Sequence, residues 1–251
     1  MPFTISHAAI VAPLTYAPRK YLSATGLIVG SMVPDFLYFI FLNPYFNLGH
    51  LWWGIFVYDI PLALLLSYLY HHRVKPVLLP YLPQWVSGRL QPFQGFNWHR
   101  YFRQHYFVVI YSIILGVLTH FFLDAFTHEH GFFVQLWPFL QQNITVAGHA
   151  IQTWYGMQYL TSFAGLLILL LVFLKISPEP YTDTASWPQI AGFWLAVGLL
   201  TTIVLVTNEH LHYIYCYRLD YLATVLGGVF YGLVGAVWLY SRLIYPSRSV
   251  R

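Results

Sequence analysis

The sequence predicts an all-α polytopic membrane protein: a transmembrane helical bundle of five firm spans plus a partly embedded N-terminal helical segment. Three observations carry this. Only 8% of the 251 residues are Asp, Glu, Lys or Arg, against about 25% in soluble domains. Hydrophobic residues make up 58%, and the mean hydropathy is +0.59. Runs of about 20 apolar residues, the length that crosses the hydrocarbon core, occupy 51–70, 105–126, 153–174, 187–207 and 221–245. A water-soluble surface, a disordered chain and a disulfide scaffold are excluded by the same figures. The single cysteine, Cys216, allows no intramolecular disulfide.

A sixth apolar stretch, 21–42, is interrupted by Gly30, Pro34 and Asp35. Pro34 removes a backbone donor and should kink or break a helix there. Trp52, Trp53, Trp98, Trp154, Trp187 and Trp238 sit near expected span ends, where tryptophans anchor at the interface. Residues 71–104 carry Arg73, Lys75, Arg89, Arg100 and Arg103 and no acid, whereas 128–152 carry no Lys or Arg. The positive-inside rule places the first segment, an interfacial basic and aromatic loop, in the cytoplasm and the second outside. Arg242, Arg248 and Arg251 put the C-terminus inside as well. The expected organisation is one integral membrane domain over 1–251, in the inner membrane, with three C-terminal spans over 153–245. The basic clusters follow topology and form no stripe, so the net charge of +4 does not indicate a nucleic-acid partner. Membrane lipid is the expected partner, and no protein partner is indicated. The opening stretch lacks a charged n-region, so no cleaved signal peptide is expected.

Twelve histidines are anomalous in a chain this poor in other ionisable groups. Ionisable residues inside spans cost about 2.5–3.5 kcal/mol each on insertion scales, so each is a functional hypothesis. His120, Asp124 and His128 are spaced i, i+4, i+8 and drift only about 40° per step, forming one stripe on a helix. Imidazole and carboxylate on adjacent turns suit one divalent metal or two neighbouring ones, with zinc the expected ion, or a carboxylate that orients a ligating imidazole. A hydrogen-bonded His–Asp helix staple and proton handling are the alternatives. Asp35 follows the break at Pro34, and Asp59 lies two residues before Pro61. His50 stands at the outer end of the second span. At 1.5 Å rise per residue, Asp124 lies about 28 Å above His105 and Asp59 about 12 Å below Leu51. Asp35, His50, Asp59, His120, Asp124 and His128 can therefore converge near the outer leaflet as one metal site.

Elsewhere the signals are weaker. Glu209, His210 and His212 read as an ordinary polar loop, and His71, His72, His99 and His105 as interfacial residues among the cytoplasmic cations. Thr4 or Ser6 can cap a short N-terminal helix. Ser31 lies in no G-x-S-x-G elbow, and no P-loop or dinucleotide fingerprint occurs.

Four blocks occur in order: Pro2-Phe3-Thr4-x-Ser6-His7-Ala8-Ala9, Gly30-Ser31-x-x-Pro34-Asp35-Phe36-x-Tyr38-Phe39, Asp59-Ile60-Pro61-Leu62-Ala63 and Gly116-x-x-x-His120-x-x-x-Asp124-x-x-Thr127-His128. In these the chain resembles the bacterial membrane-protein family catalogued as domain of unknown function 4184, most strongly over residues 1–130. In motif order that family is similar to inner-membrane metal-dependent hydrolases, and more distantly to the zinc phospholipase C and P1 nuclease group. The resemblance implies metal ligation by His7, Asp35, His120 and Asp124. His50 stands where the hydrolases carry a His-rich motif, although its full H-R-G-x-T-H-S form is missing here. With His7 in the cluster, the N-terminus lies outside and the first 42 residues form a partly embedded helical hairpin. Six spans would instead place His7 inside. Three functions follow from the residues: a metal-dependent hydrolase of phosphoester or lipid-like substrates, a proton or metal-ion transporter using Asp35, Asp59 and His120, and a non-catalytic membrane protein held by His/Asp staples.

Overall fold

The computed structural model describes residues 3–43, 48–146, 148–208 and 218–244. Glu209, His210, His212, Cys216, Arg248 and Arg251 lie outside the described residues. Helix dominates, as expected. The chain opens with a 3₁₀ turn, Thr4–His7, that runs into Ala8–Val11. The longer helices follow: α1 (Ala24–Gly30), α2 (Val33–Phe41), α3 (Ile60–Leu69), α4 (Gln84–Leu90), α5 (Trp98–Thr127), α6 (Thr153–Leu174), α7 (Trp187–Thr207) and α8 (Arg218–Ile244). Among the described residues, four helices are long and apolar enough to cross a membrane, or five if the bent pair α1 and α2 is one broken span. Exposed side chains such as Leu160, Phe163, Leu195 and Leu199 would aggregate in water, whereas lipid solvates them.

Local chemistry explains the breaks. Ser23 caps α1 by accepting the Gly26 N–H at 3.1 Å. The chain then turns through Ser31 and Met32, and Pro34 falls in the first turn of α2, where its missing N–H costs nothing. The expected kink at Pro34 is thus a clean break just before it. The expected span over 51–70 is not among the four long apolar helices, because its helix is not continuously α. A π-helical stretch, Ile55–Asp59, precedes α3, and a second, Tyr70–Val74, follows it. Ile60 N–H bonds Ile55 C=O, and Lys75 N–H bonds Tyr70 C=O. Both stretches end two residues before a proline, Pro61 and Pro76. Proline clashes with the carbonyl four residues back, and the wider π turn relieves that clash.

Residues 71–104 are not a loop. The π turn continues into Lys75–Leu78, then Leu79–Tyr81, α4 and the start of α5. Trp98, expected as an interfacial anchor, is buried and stacks on His71 with centroids 5.1 Å apart. Helix α5 kinks at His105 (φ −136°, ψ 34°), where the sequence suggests a span begins. The segment 128–152 holds two short helices, Phe132–Leu136 and Pro138–Gln141, and an antiparallel hairpin of β1 (Asn143–Val146) and β2 (His149–Gln152).

The chain forms two compact units. The first comprises Met1–Asp35, Leu48–Leu64 and Gln104–Lys175, and the second Phe36–Asn47, Leu65–Arg103 and Ile176–Arg251. In the second, α7 packs on α8 around Phe193, Val197, Ala236 and Val237. Tyr81 stacks on Phe193 at 4.4 Å, and Trp194 Nε1 donates to the Tyr81 carbonyl at 3.0 Å. In the first, α6 exposes leucines and buries Gln158 and Gly165. Helices in lipid associate through small and polar residues because burying leucine gains nothing there. Gln158 Nε2 donates to the Thr127 carbonyl at 2.6 Å, and the Phe3 N–H to Ser162 Oγ at 2.7 Å.

Candidate metal centre

The first unit gathers the ionisable residues through one close helix crossing. A Cβ on Gly116 of α5 would lie 2.5 Å from Leu27 O and 2.7 Å from Ser31 N, and one on Gly30 would lie 2.4 Å from Ile113 O. Only glycine at both positions lets α1 and α5 touch backbone to backbone. One turn above Gly116, His120 meets the end of α1. Its Nδ1 lies 2.9 Å from the Ser31 carbonyl. A carbonyl accepts only, so Nδ1 carries the proton and Nε2 presents its lone pair when the ring is neutral.

Around that Nε2 stand three further donors. His50 Nε2 is 3.2 Å away, Asp124 Oδ2 3.2 Å and Asp35 Oδ1 3.6 Å. His50 Nε2 is itself 3.3 Å from Asp124 Oδ2 and 3.5 Å from Asp35 Oδ1. His50 reaches the site on the turn Leu48–His50, which sits tightly over α2. A Cβ on Gly49 would be 2.6 Å from Pro34 O and 3.0 Å from Asp59 Oδ1. Thr4 explains the aim of Asp35. On a 3₁₀ turn residues i and i+3 share a face, so Thr4 and His7 point the same way. The Thr4 hydroxyl donates to Asp35 Oδ2 at 2.7 Å, which leaves Oδ1 facing the histidines. Thr4 is therefore not the expected cap, and the turn has no side-chain cap hydrogen bond. Ser6 is turned back too, its hydroxyl donating to the Phe3 carbonyl at 2.6 Å.

His7 joins the cluster: its ring stacks on His120 with centroids 3.9 Å apart and planes 15° from parallel. Its Nε2 is 3.8 Å from Asp124 Oδ1, and His128 Nδ1 is 3.4 Å from the same oxygen. The inner side of the cluster is closed, with His7, Asp35 and His120 at 1% exposure or less. The outer edge is open at His50, Asp124 and His128, whose side chains are 22%, 12% and 35% exposed. The stripe read from α5 thus faces inward and becomes more exposed toward the helix end. Asp59 is fully buried beside Gly49, with neither carboxylate oxygen hydrogen-bonded, and it belongs to neither compact group of donors.

Among the described residues, two groups have the composition and spacing of a metal site: His7, Asp35 and His120, and His50, His120 and Asp124, with donor atoms within 4.8 Å of one another. The residues missed by reading the sequence are supports: Thr4, the Ser31 carbonyl, and the glycines that allow close approach. Thr4, three residues before His7, carried a usable signal; a backbone carbonyl carries none.

No curated protein and no solved structure matches the chain. A family model does match, over residues 1–245, and the chain therefore belongs to the family described as Domain of unknown function (DUF4184).

Proposed function

We propose that this is a bacterial inner-membrane metalloprotein that holds a divalent cation, zinc, and hydrolyses phosphoester or lipid-like substrates. The observation that carries the reading is the triangle of His50 Nε2, His120 Nε2 and Asp124 Oδ2, with edges of 3.2, 3.2 and 3.3 Å. Zinc bonds of about 2.0–2.1 Å in tetrahedral geometry require donors about 3.3 Å apart. Three such protein ligands match the set of catalytic zinc sites, and Asp35 Oδ1 stands by as a further donor 3.5 and 3.6 Å from the two histidines.

The chemistry of the donor set supports the same reading over a helix staple. His7 Nδ1 and Nε2, Asp35 Oδ1 and Asp124 Oδ1 are buried without a hydrogen bond. A staple has no reason to leave them so, since unpaired buried polar atoms cost about 1–3 kcal/mol each. A bound cation would give the Asp35 and Asp124 carboxylates the opposite charge that the unfilled cluster lacks. When bound, it supplies Lewis acidity and makes a held water more acidic. The protein's part is positional. Ser31 fixes the His120 tautomer, Thr4 aims Asp35, and the open edge at His50, Asp124 and His128 admits a substrate's polar group.

The test is zinc content of detergent-purified protein, loaded with zinc and desalted, for wild type and Asp124→Asn. Wild type should retain zinc and cleave a chromogenic phosphodiester. The variant should lose both, while its melting temperature in chelator stays within the effect of a single intramembrane hydrogen bond, about 0.6 kcal/mol. A zinc-free wild type, or unchanged zinc in the variant, would overturn the proposal.

A further inference from the structure

We infer that the second unit carries a lipid site: the exposed cations Arg73 and Arg100, with the imidazoles of His72 and His99, bind the phosphate of an anionic phospholipid in the inner leaflet. The inference is independent of the metal reading. Tyr68 brings the two pairs together. Its ring stacks on His72 with centroids 4.2 Å apart, and its hydroxyl lies 3.2 Å from His99 Nδ1. The two imidazoles are 6.5 Å apart and 75° from parallel. Arg73 and Arg100 come next along each stretch, and both are exposed. Among the described residues neither pairs with an acid, since every ion pair there lies in the cluster around Asp35 and Asp124. Burial pushes the His72 imidazole below its usual value, and His99, Lys75 and Arg73 push it lower still, so every charge acting on it is positive. Lys75 is buried, and the Phe93 and Phe96 carbonyls that accept from it leave its charge in place. Like charges gathered in this way repel one another, and an anion between them reverses the sign of the interaction.

Depth and surroundings select a lipid over a water-borne anion. His72 and Arg73 follow α3 within one turn, and Arg100 and Arg103 stand just before His105, where the apolar run of α5 begins. At 1.5 Å rise per residue, Arg103 and Arg100 lie about 3 and 7.5 Å beyond that run. The headgroup layer is about 5–7 Å deep on each side of the hydrocarbon, so these cations sit at the level of lipid phosphates. Trp85 and Phe93 are exposed in the same unit, and aromatic rings favour that depth. Clusters of Lys and Arg immediately cytoplasmic of a span attract acidic lipids, and five cations without an acid over 71–104 make such a cluster. The chemistry fits a phosphate in detail. A guanidinium fork meets two phosphate oxygens at once, and each neutral imidazole has a ring N–H to donate to another.

The experiment titrates the full-length protein in detergent with phosphatidylglycerol or phosphatidylcholine and counts bound lipid by native mass spectrometry. Phosphatidylglycerol should bind about tenfold more tightly or better, because only it adds a net negative charge. Arg73→Gln and Arg100→Gln should each weaken it about fivefold, the effect of one cation near an anionic surface, and the double variant about 25-fold. Both arginines are exposed, so the variants keep the fold. Lys175→Gln, which removes the cation that ends α6 in the first unit, should change the affinity by less than about twofold. Inorganic phosphate and a single-stranded RNA oligonucleotide are added as competitors, and neither should displace the lipid. Equal binding of the two lipids, or an unchanged affinity in the double variant, would overturn the site. An equal loss in Lys175→Gln would overturn it too, by showing a general attraction to a positive face. Displacement by phosphate would make the patch a site for a soluble phosphate, and displacement by RNA alone a nucleic-acid surface; either result would remove the lipid.

Discussion

Two parts of this chain are rich in histidine and differ in what faces the rings. In the first unit His7, His50, His120 and His128 surround Asp35 and Asp124. In the second, His71, His72 and His99 lie among Arg73, Lys75 and Arg100, with no acid anywhere in 71–104. There the imidazoles pack against aromatics. His71 stacks on Trp98, His72 on Tyr68 at 4.2 Å, and His99 Nδ1 lies 3.2 Å from Tyr68 Oη. Lys75 is buried and donates to the carbonyls of Phe93 and Phe96 at 3.0 and 3.3 Å. A cation entering that region meets the charges of Arg73, Lys75 and Arg100 and no carboxylate from 71–104. The same residue type therefore has two settings. Carboxylates give the histidines of the first the composition of a cation site, and aromatic rings make those of the second packing groups.

Asp124→Asn, the largest expected effect, breaks this contrast by giving the first region the acid-poor character of the second. Next in size is Gly116→Leu. The new side chain would collide with the backbone of α1, which must move and take the Ser31 carbonyl away from His120. Overpacking costs about 1–3 kcal/mol, sometimes more, and zinc binding should be lost along with stability. Gly198→Leu on α7 is the control, because a Cβ there meets nothing within 4 Å. Melting curves and zinc content of both variants check this. A Gly116→Leu protein that melts like wild type and keeps its zinc would show that the crossing does not position His120.

Thr4→Val is subtler. It keeps the shape of the side chain and deletes the hydroxyl that holds Asp35 Oδ2. Losing an outer-shell partner costs about 10–100-fold in metal affinity, or about 1.4–2.8 kcal/mol. Zinc competition against a chelator should show that loss, and Thr4→Ser should recover most of it. Equal affinities for wild type and Thr4→Val would remove Thr4 from the site.

The helices were readable because hydropathy and the i, i+4 spacing are local properties. The α5 stripe needed only its period, and Asp35 was marked by the break at Pro34. His7 had no periodic signal and entered only through its motif. The π stretches were missed because a hydropathy run has no term for helix pitch, although Pro61 and Pro76 stood two residues beyond each. Trp98 looked like an anchor because its burial depends on His71, 27 positions earlier. Thr4 looked like a cap because capping is the local use of a hydroxyl, while its partner lies 31 residues away. What the sequence hides throughout is long-range pairing.

The smallest effect tests the packing role of the second region. Burial, helped by Lys75 and His72, pushes the His71 imidazole down to about 4 from its usual 6.5. The neutral ring is therefore the form that stacks on Trp98. Between pH 6.5 and 4 the unfolded chain binds a proton at this position that the folded one does not, so stability falls as the pH is lowered through that window and levels off below it. The ring is partly exposed, so solvent screening reduces the full effect of the shift to on the order of 1 kcal/mol. His71→Phe keeps the stack on Trp98 and removes the titration. At pH 7.5 it should melt close to wild type, and by pH 4.5 it should melt a few degrees higher. Other groups titrate over the same range in both proteins, so the measured quantity is the difference between the two melting temperatures at each pH. A difference that stays flat from pH 7.5 to 4.5 would mean that His71 accepts its proton in place, and that the stack on Trp98 does not depend on a neutral ring.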